Sequence, residues 1–174
     1  VEENLTDGYN NMVLQYWWRN LSHEWKEIFL DNAGIIGTPA IDDLIDIIHL
    51  KAIDCFNIQV SNIEPVKELK YLKELNCDNT GISDLTPLEN LSYLEKLNCS
   101  RNYITDLFPL RKLLQLQYLF CDNNEINSLE PLKKLINIVK LDCGHNQIRS
   151  INPVQNLEML EEFSHLGAGF EVAM

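Results

Sequence analysis

The most reactive side chains in this sequence are five thiols, and their spacing limits what they can do. Cys55, Cys77, Cys99, Cys121 and Cys143 are separated by 22 residues at every step. Metal-binding cysteines come in close pairs such as C-x-x-C, because one ion needs several ligands about 2.3 Å away. No such pair occurs, and an odd number of thiols cannot pair completely as disulfides. The uniform step predicts one small apolar side chain per structural unit, directed into a core. Unpaired thiols suit a reducing compartment, and buried ones also persist outside the cell.

The remaining candidate chemistry is sparse. His23, His49, His145 and His165 form neither H-x-x-x-H nor H-E-x-x-H. There is no glycine-rich phosphate loop and no G-x-S-x-G, and the carboxylates are scattered. No catalytic residues, no cofactor and no metal are therefore expected. Trp17, Trp18 and Trp25 could form an aromatic ligand cage, but their helical spacing predicts packing within a cap. Four N-x-S/T or N-C-S triplets, at Asn4, Asn20, Asn90 and Asn98, match a glycosylation signal that is common by chance.

The units that position the thiols are plain in the sequence. LKYLKELNCDNTGISDLTPLEN from Leu69, LSYLEKLNCSRNYITDLFPLRK from Leu91, LLQLQYLFCDNNEINSLEPLKK from Leu113 and LINIVKLDCGHNQIRSINPVQN from Leu135 follow without insertion. A looser copy starts at Ile47 and a partial one at Leu157. All the cysteines share one column, and Pro65, Pro87, Pro109, Pro131 and Pro153 share another. The pattern is L-x-x-L-x-x-L-x-C-x-x-N-x-I-x-x-L-x-P-L, and it covers about three-quarters of the chain.

On these residues the chain resembles the leucine-rich-repeat proteins. The 22-residue unit is most similar to the repeats of bacterial internalins and of the leucine-rich regulatory subunit of protein phosphatase 1. Cys stands where Leu is commoner. The resemblance implies an α/β fold: a right-handed solenoid with a parallel sheet on the concave face and 3₁₀ or irregular segments on the convex side. It also implies a function in binding other proteins. The expected organisation is one continuous domain, with a helical cap at 1–46 and a solenoid at 47–174.

Physical chemistry supports the same coil. Around Leu97-Asn98-Cys99 the apolar residues alternate with polar ones, as in a strand with one buried face. Burying each Leu is worth roughly 1.5–3 kcal/mol, but one repeat needs its neighbours as walls. Asn102, Asn124 and Asn146 stand where each strand turns, and their amides can satisfy buried backbone groups there. Thr80 and Ile58 occupy the same column, so this ladder weakens towards the amino end. Proline suits the convex bend, where no ladder hydrogen bond is needed. In the cap, Ser22 is expected to start one helix and Thr38-Pro39 another, with Leu14, Trp18, Leu21, Trp25 and Phe29 near one apolar face. The chain opens on Val1, as a processed start would, and the last coil looks half formed. His165, Ala168 and Phe170 there take the Cys, Asn and Ile columns.

The net charge of -12 is shared equally between residues 1–51 and the remainder. Such a surface repels nucleic acid and anionic lipid and suits a protein or peptide partner with a basic patch. No apolar run of about 18 residues is present to span a bilayer. A monomer is expected unless the carboxyl-terminal edge pairs. The outward columns define a binding strip: Lys96, Tyr118 and Lys140 in one, Asn98, Phe120 and Asp142 in the next, with Arg101 and Asp122 beside them. Tyr118 and Phe120 are expected to face solvent from one central strand, as aromatic anchors do at interface centres. A scaffold or targeting segment of a larger protein is the alternative reading.

Overall fold

A computed structural model describes residues 11–165. Three helices open it: α1 (Asn11–Asn20), α2 (His23–Ala33) and α3 (Ile41–Ile48). Six three-residue strands follow: β1 (Ala52–Asp54), β2 (Glu74–Asn76), β3 (Lys96–Asn98), β4 (Tyr118–Phe120), β5 (Lys140–Asp142) and β6 (Glu162–Ser164). They form one parallel sheet in sequence order, each residue pairing with its equivalent one repeat on. Short 3₁₀ segments, such as Phe108–Lys112 and Glu130–Leu132, connect the strands on the convex side. The ends of the cap and of the last coil, including the register of Leu166, Ala168 and Phe170, lie outside the described residues.

The core is a stack of columns. Leu75, Leu97, Leu119 and Leu141 are buried mid-strand, and all five cysteines are buried just past the strands. Their backbone continues the ladder, with Cys99 N–H donating to the Phe120 carbonyl at 2.8 Å and Cys121 N–H to that of Asp142 at 2.8 Å. The thiols thus form a row along the coil axis, as their spacing predicts.

The asparagine ladder is also present. The Asn124 amide donates to the carbonyls of Cys99 (3.0 Å), Cys121 (3.1 Å) and Asp122 (3.2 Å), and its Oδ1 accepts from Ile104 N–H at 2.9 Å. Asn146 repeats this pattern one coil on, and Asn102 accepts from three backbone N–H groups at once. Each side chain joins its own coil to the preceding one. At Thr80 the ladder reduces to a hydroxyl bond to the Cys77 carbonyl at 2.8 Å, and Ile58 is exposed. It therefore weakens towards the amino end.

Two further columns shape each turn. Asn57, Asn79, Arg101, Asn123 and His145 all adopt left-handed backbone, with φ between 50° and 63°. Asparagine tolerates this conformation better than most residues, while Arg and His carry a steric cost. Ahead of each 3₁₀ segment, the side chain of Asn62, Asp84, Asp106, Ser128 or Ser150 accepts the backbone N–H two residues on. That contact satisfies an N–H left over at the segment's first turn, just before the proline.

The cap differs in detail from its expected form. Ser22 does cap α2, accepting Trp25 N–H at 3.4 Å, and Gly34 closes the helix in a left-handed conformation at φ 67°. Because Ser22 takes extended backbone, the apolar face divides between α1 and α2 instead of running along one helix. Leu14, Trp25 and Phe29 are buried, whereas Trp18 and Leu21 are half-buried. The third helix starts at Ile41, after Pro39, because Asp43 folds back to accept Ala40 N–H at 2.7 Å. Trp17 and Trp25 both pack against Phe29, with ring centroids 5.3 Å apart, and so serve the cap core. The Trp25 indole N–H donates to the Asn62 carbonyl at 2.8 Å, tying α2 to the first coil.

The first sheet edge is covered by a side chain. The Asn32 amide donates to the Asp54 carbonyl at 3.0 Å and accepts Asp54 N–H at 2.8 Å. It gives β1 the pair of bonds that a neighbouring strand would supply, which discourages pairing with another chain.

Candidate functional site

The parallel register brings the central residues of the strip together. Tyr118 pairs with Lys96 on one side and Lys140 on the other, and Phe120 pairs with Asn98 and Asp142. Two outward columns on β3, β4 and β5 thus form one patch three strands wide. Tyr118 is 38% exposed. Phe120 is only half-buried and not fully open as expected, because the Lys140 ammonium lies 5.7 Å from its ring centroid and covers part of the face.

The cations of the strip are already engaged. Lys96 pairs with Glu74 at 3.6 Å, and Lys140 pairs with Glu162, each across adjacent strands. Arg101 leaves the strand on left-handed backbone and clamps Asp78 with two nitrogens, while its guanidinium carbon sits 5.6 Å from the Phe56 ring. Asp78 is buried, so this pair counts for more than an exposed one. Arg101 therefore belongs to the flank of the strip.

The acids of the strip accept from neutral donors. Asp122 takes the Ser100 hydroxyl and the Asn123 amide, and Asp142 takes Gly144 N–H at 3.2 Å. Asp54 takes Phe56 N–H at 2.9 Å and the Asn76 amide at 3.0 Å. Among the described residues neither Asp54 nor Asp142 has an ion-pair partner. Their negative charge stays available to a ligand. A shallow hollow of about 340 Å³ extends from Phe120 past Asn98, Lys96 and Asn76 to Asp54 and Asn32. It joins Phe120 to the acidic amino-terminal end of the concave face.

The thiols take no part in this face. Burial pushes Cys55 and Cys143 up to about 12, with nearby Asp54 and Asp142 adding to the shift. Burial raises Cys77, Cys99 and Cys121 well above the ordinary value of 9.0 as well. Among the described residues, no group of three or more His, Cys, Asp or Glu could hold a metal ion.

A pH dependence follows with a definite sign. Below pH 9.0 folded and unfolded thiols are both protonated; as pH rises from 9.0 towards about 12, the unfolded chain loses protons that the folded chain keeps. Stability is therefore intact below that window and falls across it. Urea midpoints measured from about pH 7 to about pH 10.5 should drop more steeply for the wild type than for Cys55→Ala with Cys143→Ala. Equal slopes would contradict the buried assignment.

Comparison with known proteins agrees with the architecture. Residues 92–134 and 115–156 match the family model for leucine-rich repeats in two copies. Among curated protein sequences, none is significantly similar to this chain. Among solved structures, internalin C2 from Listeria monocytogenes is 21% identical with a TM-score of 0.64, covering 92% of this chain and 89% of its own. The Listeria internalin InlF is 19% identical with a TM-score of 0.65; the match covers 86% of this chain and 50% of that one. The leucine-rich-repeat ectodomain of the receptor kinase SOBIR1 from Arabidopsis thaliana is 22% identical with a TM-score of 0.55, covering 63% and 65%. Leucine-rich-repeat proteins generally mediate protein–protein interactions. Residues 92–156 thus match leucine-rich repeats, and the fold as a whole, an α/β solenoid behind a helical cap, is similar to that of the internalins.

Proposed function

We propose that this chain is a protein-binding module that takes a segment of a partner protein on its concave face, centred on Tyr118 and Phe120. The observation that carries the reading is the three-strand patch itself. Two aromatic side chains from one central strand stand in register between Lys96 and Lys140 and between Asn98 and Asp142. Aromatic residues ringed by polar groups are enriched among the side chains that dominate interface energies.

The charge pattern narrows the partner. Lys96, Lys140 and Arg101 are matched by acids of this chain, whereas Asp54 and Asp142 lack cation partners among the described residues. A segment bringing Lys or Arg would complement those acids and lie against the aromatic faces. The six three-residue strands offer about twelve outward positions, two on each, well under the usual 20–30 residues per side of a standard interface, so moderate affinity is expected.

The test is partner capture by the wild type against Tyr118→Ala with Phe120→Ala. Tyr118 is exposed and Phe120 half-buried, so thermal stability should fall far less than for a core change such as Leu119→Ala, while capture is lost. A double variant that still binds with full affinity places the site elsewhere.

A further inference from the structure

A second surface runs along the turns that lead from the convex side into the strands. In each of these turns a leucine points inward, and the residues around it face solvent. Leu113 is buried between exposed Lys112 and Leu114, and Leu135 is buried between exposed Lys134 and Ile136. The turns are adjacent in space, since the Asn137 amide donates to the Leu114 carbonyl at 2.7 Å. Four successive coils each expose one large apolar side chain here: Tyr93 (53%), Leu114 (53%), Ile136 (63%) and Met159 (52%). Tyr93 and Met159 stand one position later in the repeat than Leu114 and Ile136, so exposed apolar side chains follow one another from coil to coil along this edge, a grouping more often found where something binds than single scattered ones.

The stripe has a charge unlike that of the molecule. The turns at 67–71, 89–93, 111–115, 133–137 and 155–159 hold six of the fourteen Lys and Arg but only three of the twenty-six Asp and Glu. Arg111 is matched by Glu89 and Lys133 by Glu130. Lys112 and Lys134, beside Leu114 and Ile136, have no ion-pair partner among the described residues. In a chain of net charge -12, this edge is locally cationic.

We propose that this edge docks an acidic amphipathic helix of a partner protein, independently of the concave strip. Apolar side chains of the helix would cover the stripe, and flanking Asp or Glu would meet Lys112 and Lys134. The spacing favours a helix over an extended chain. Neighbouring coils repeat at about 4.8 Å, close to the 5–6 Å between helix residues three or four apart. An extended segment repeats its same-face residues at about 6.6 Å and would slip out of step within three coils. The strong overall negative charge opposes an anionic membrane, while a short acidic helix meets the local cations only.

The probe is a fluorescein-labelled helical peptide with Leu at positions i, i+4 and i+7 flanked by Glu, followed by fluorescence anisotropy at low salt. Wild-type protein should bind it, and Leu114→Ser with Ile136→Ser should weaken binding at least about tenfold without lowering Tm. Lys112→Glu with Lys134→Glu should lose the acidic peptide and gain a version carrying Lys for Glu. Tyr118→Ala with Phe120→Ala should leave binding unchanged, which separates this surface from the concave one. The proposal is overturned by a dissociation constant weaker than about 1 mM, by equal binding of a scrambled peptide, or by binding to phosphatidylserine vesicles in place of the peptide.

Discussion

Asn124→Ala lowers the unfolding free energy by about 3 kcal/mol, although it removes no apolar contact of any size. The Asn124 amide serves two buried carbonyls, a part-buried one and one buried N–H, in two different coils. Alanine leaves these groups facing a dry interior, at a penalty of roughly 1–3 kcal/mol for each one that finds no new partner. Relaxation and water entry recover part of that sum, which keeps the total near the upper end of ordinary single substitutions. Urea denaturation followed by circular dichroism gives the number. The exposed Asn127 is the control, and its alanine variant should change stability by less than about 0.5 kcal/mol. Equal small effects at both positions would mean that the ladder contributes no stability.

Leu119→Ala has a comparable or larger effect, about 3–4 kcal/mol, for a different reason. Leu119 is fully buried at the centre of β4, between Leu97 and Leu141 in register. Its removal opens a cavity whose walls are held by hydrogen-bonded strands on both sides, so little collapse is available. Leu157, in the last coil and 5% exposed, has a coil stacked on one side only among the described residues. Leu157→Ala should cost about half as much. A calorimetric series of alanine variants along the column of Leu157, at Leu69, Leu91, Leu113, Leu135 and Leu157, should therefore peak in the middle of the solenoid, and a flat profile would contradict a stack stabilised by neighbours.

The repeat made most of the fold readable from residues alone. A column of identical positions is a column in space, so the row of thiols, the Asn ladder and the outward pairs of β3, β4 and β5 follow once the register is set. What escaped depended on contacts that no single repeat displays. The left-handed turn column is signalled by Asn57, Asn79 and Asn123, but Arg101 and His145 interrupt it. The side chains that cap the 3₁₀ segments vary between Asn, Asp and Ser, which disguises one role under three residue types. Asn32 protects β1 by hydrogen bonds across 22 residues of unlike sequence, with no local signature.

The candidate strip was legible in outline and not in charge. Lys96 and Lys140 look in sequence like free cations around two aromatics. Glu74 and Glu162 each lie one repeat away in the same column, and the parallel register turns that separation into ion pairs. The same register places Lys140 over Phe120, so one side chain both neutralises an acid and covers an aromatic face. Column adjacency, applied to charges as well as to the core, would have revealed both.

A photo-reactive residue tests most directly whether this coil recognises its partner on the sheet side. Incorporate p-benzoylphenylalanine at Tyr118, and separately at Phe108 on the convex side, then irradiate each protein in an extract of its own cells. Covalent adducts should form from position 118, be competed by unlabelled wild type, and be absent from position 108. Adducts from 108 alone would place recognition on the opposite surface.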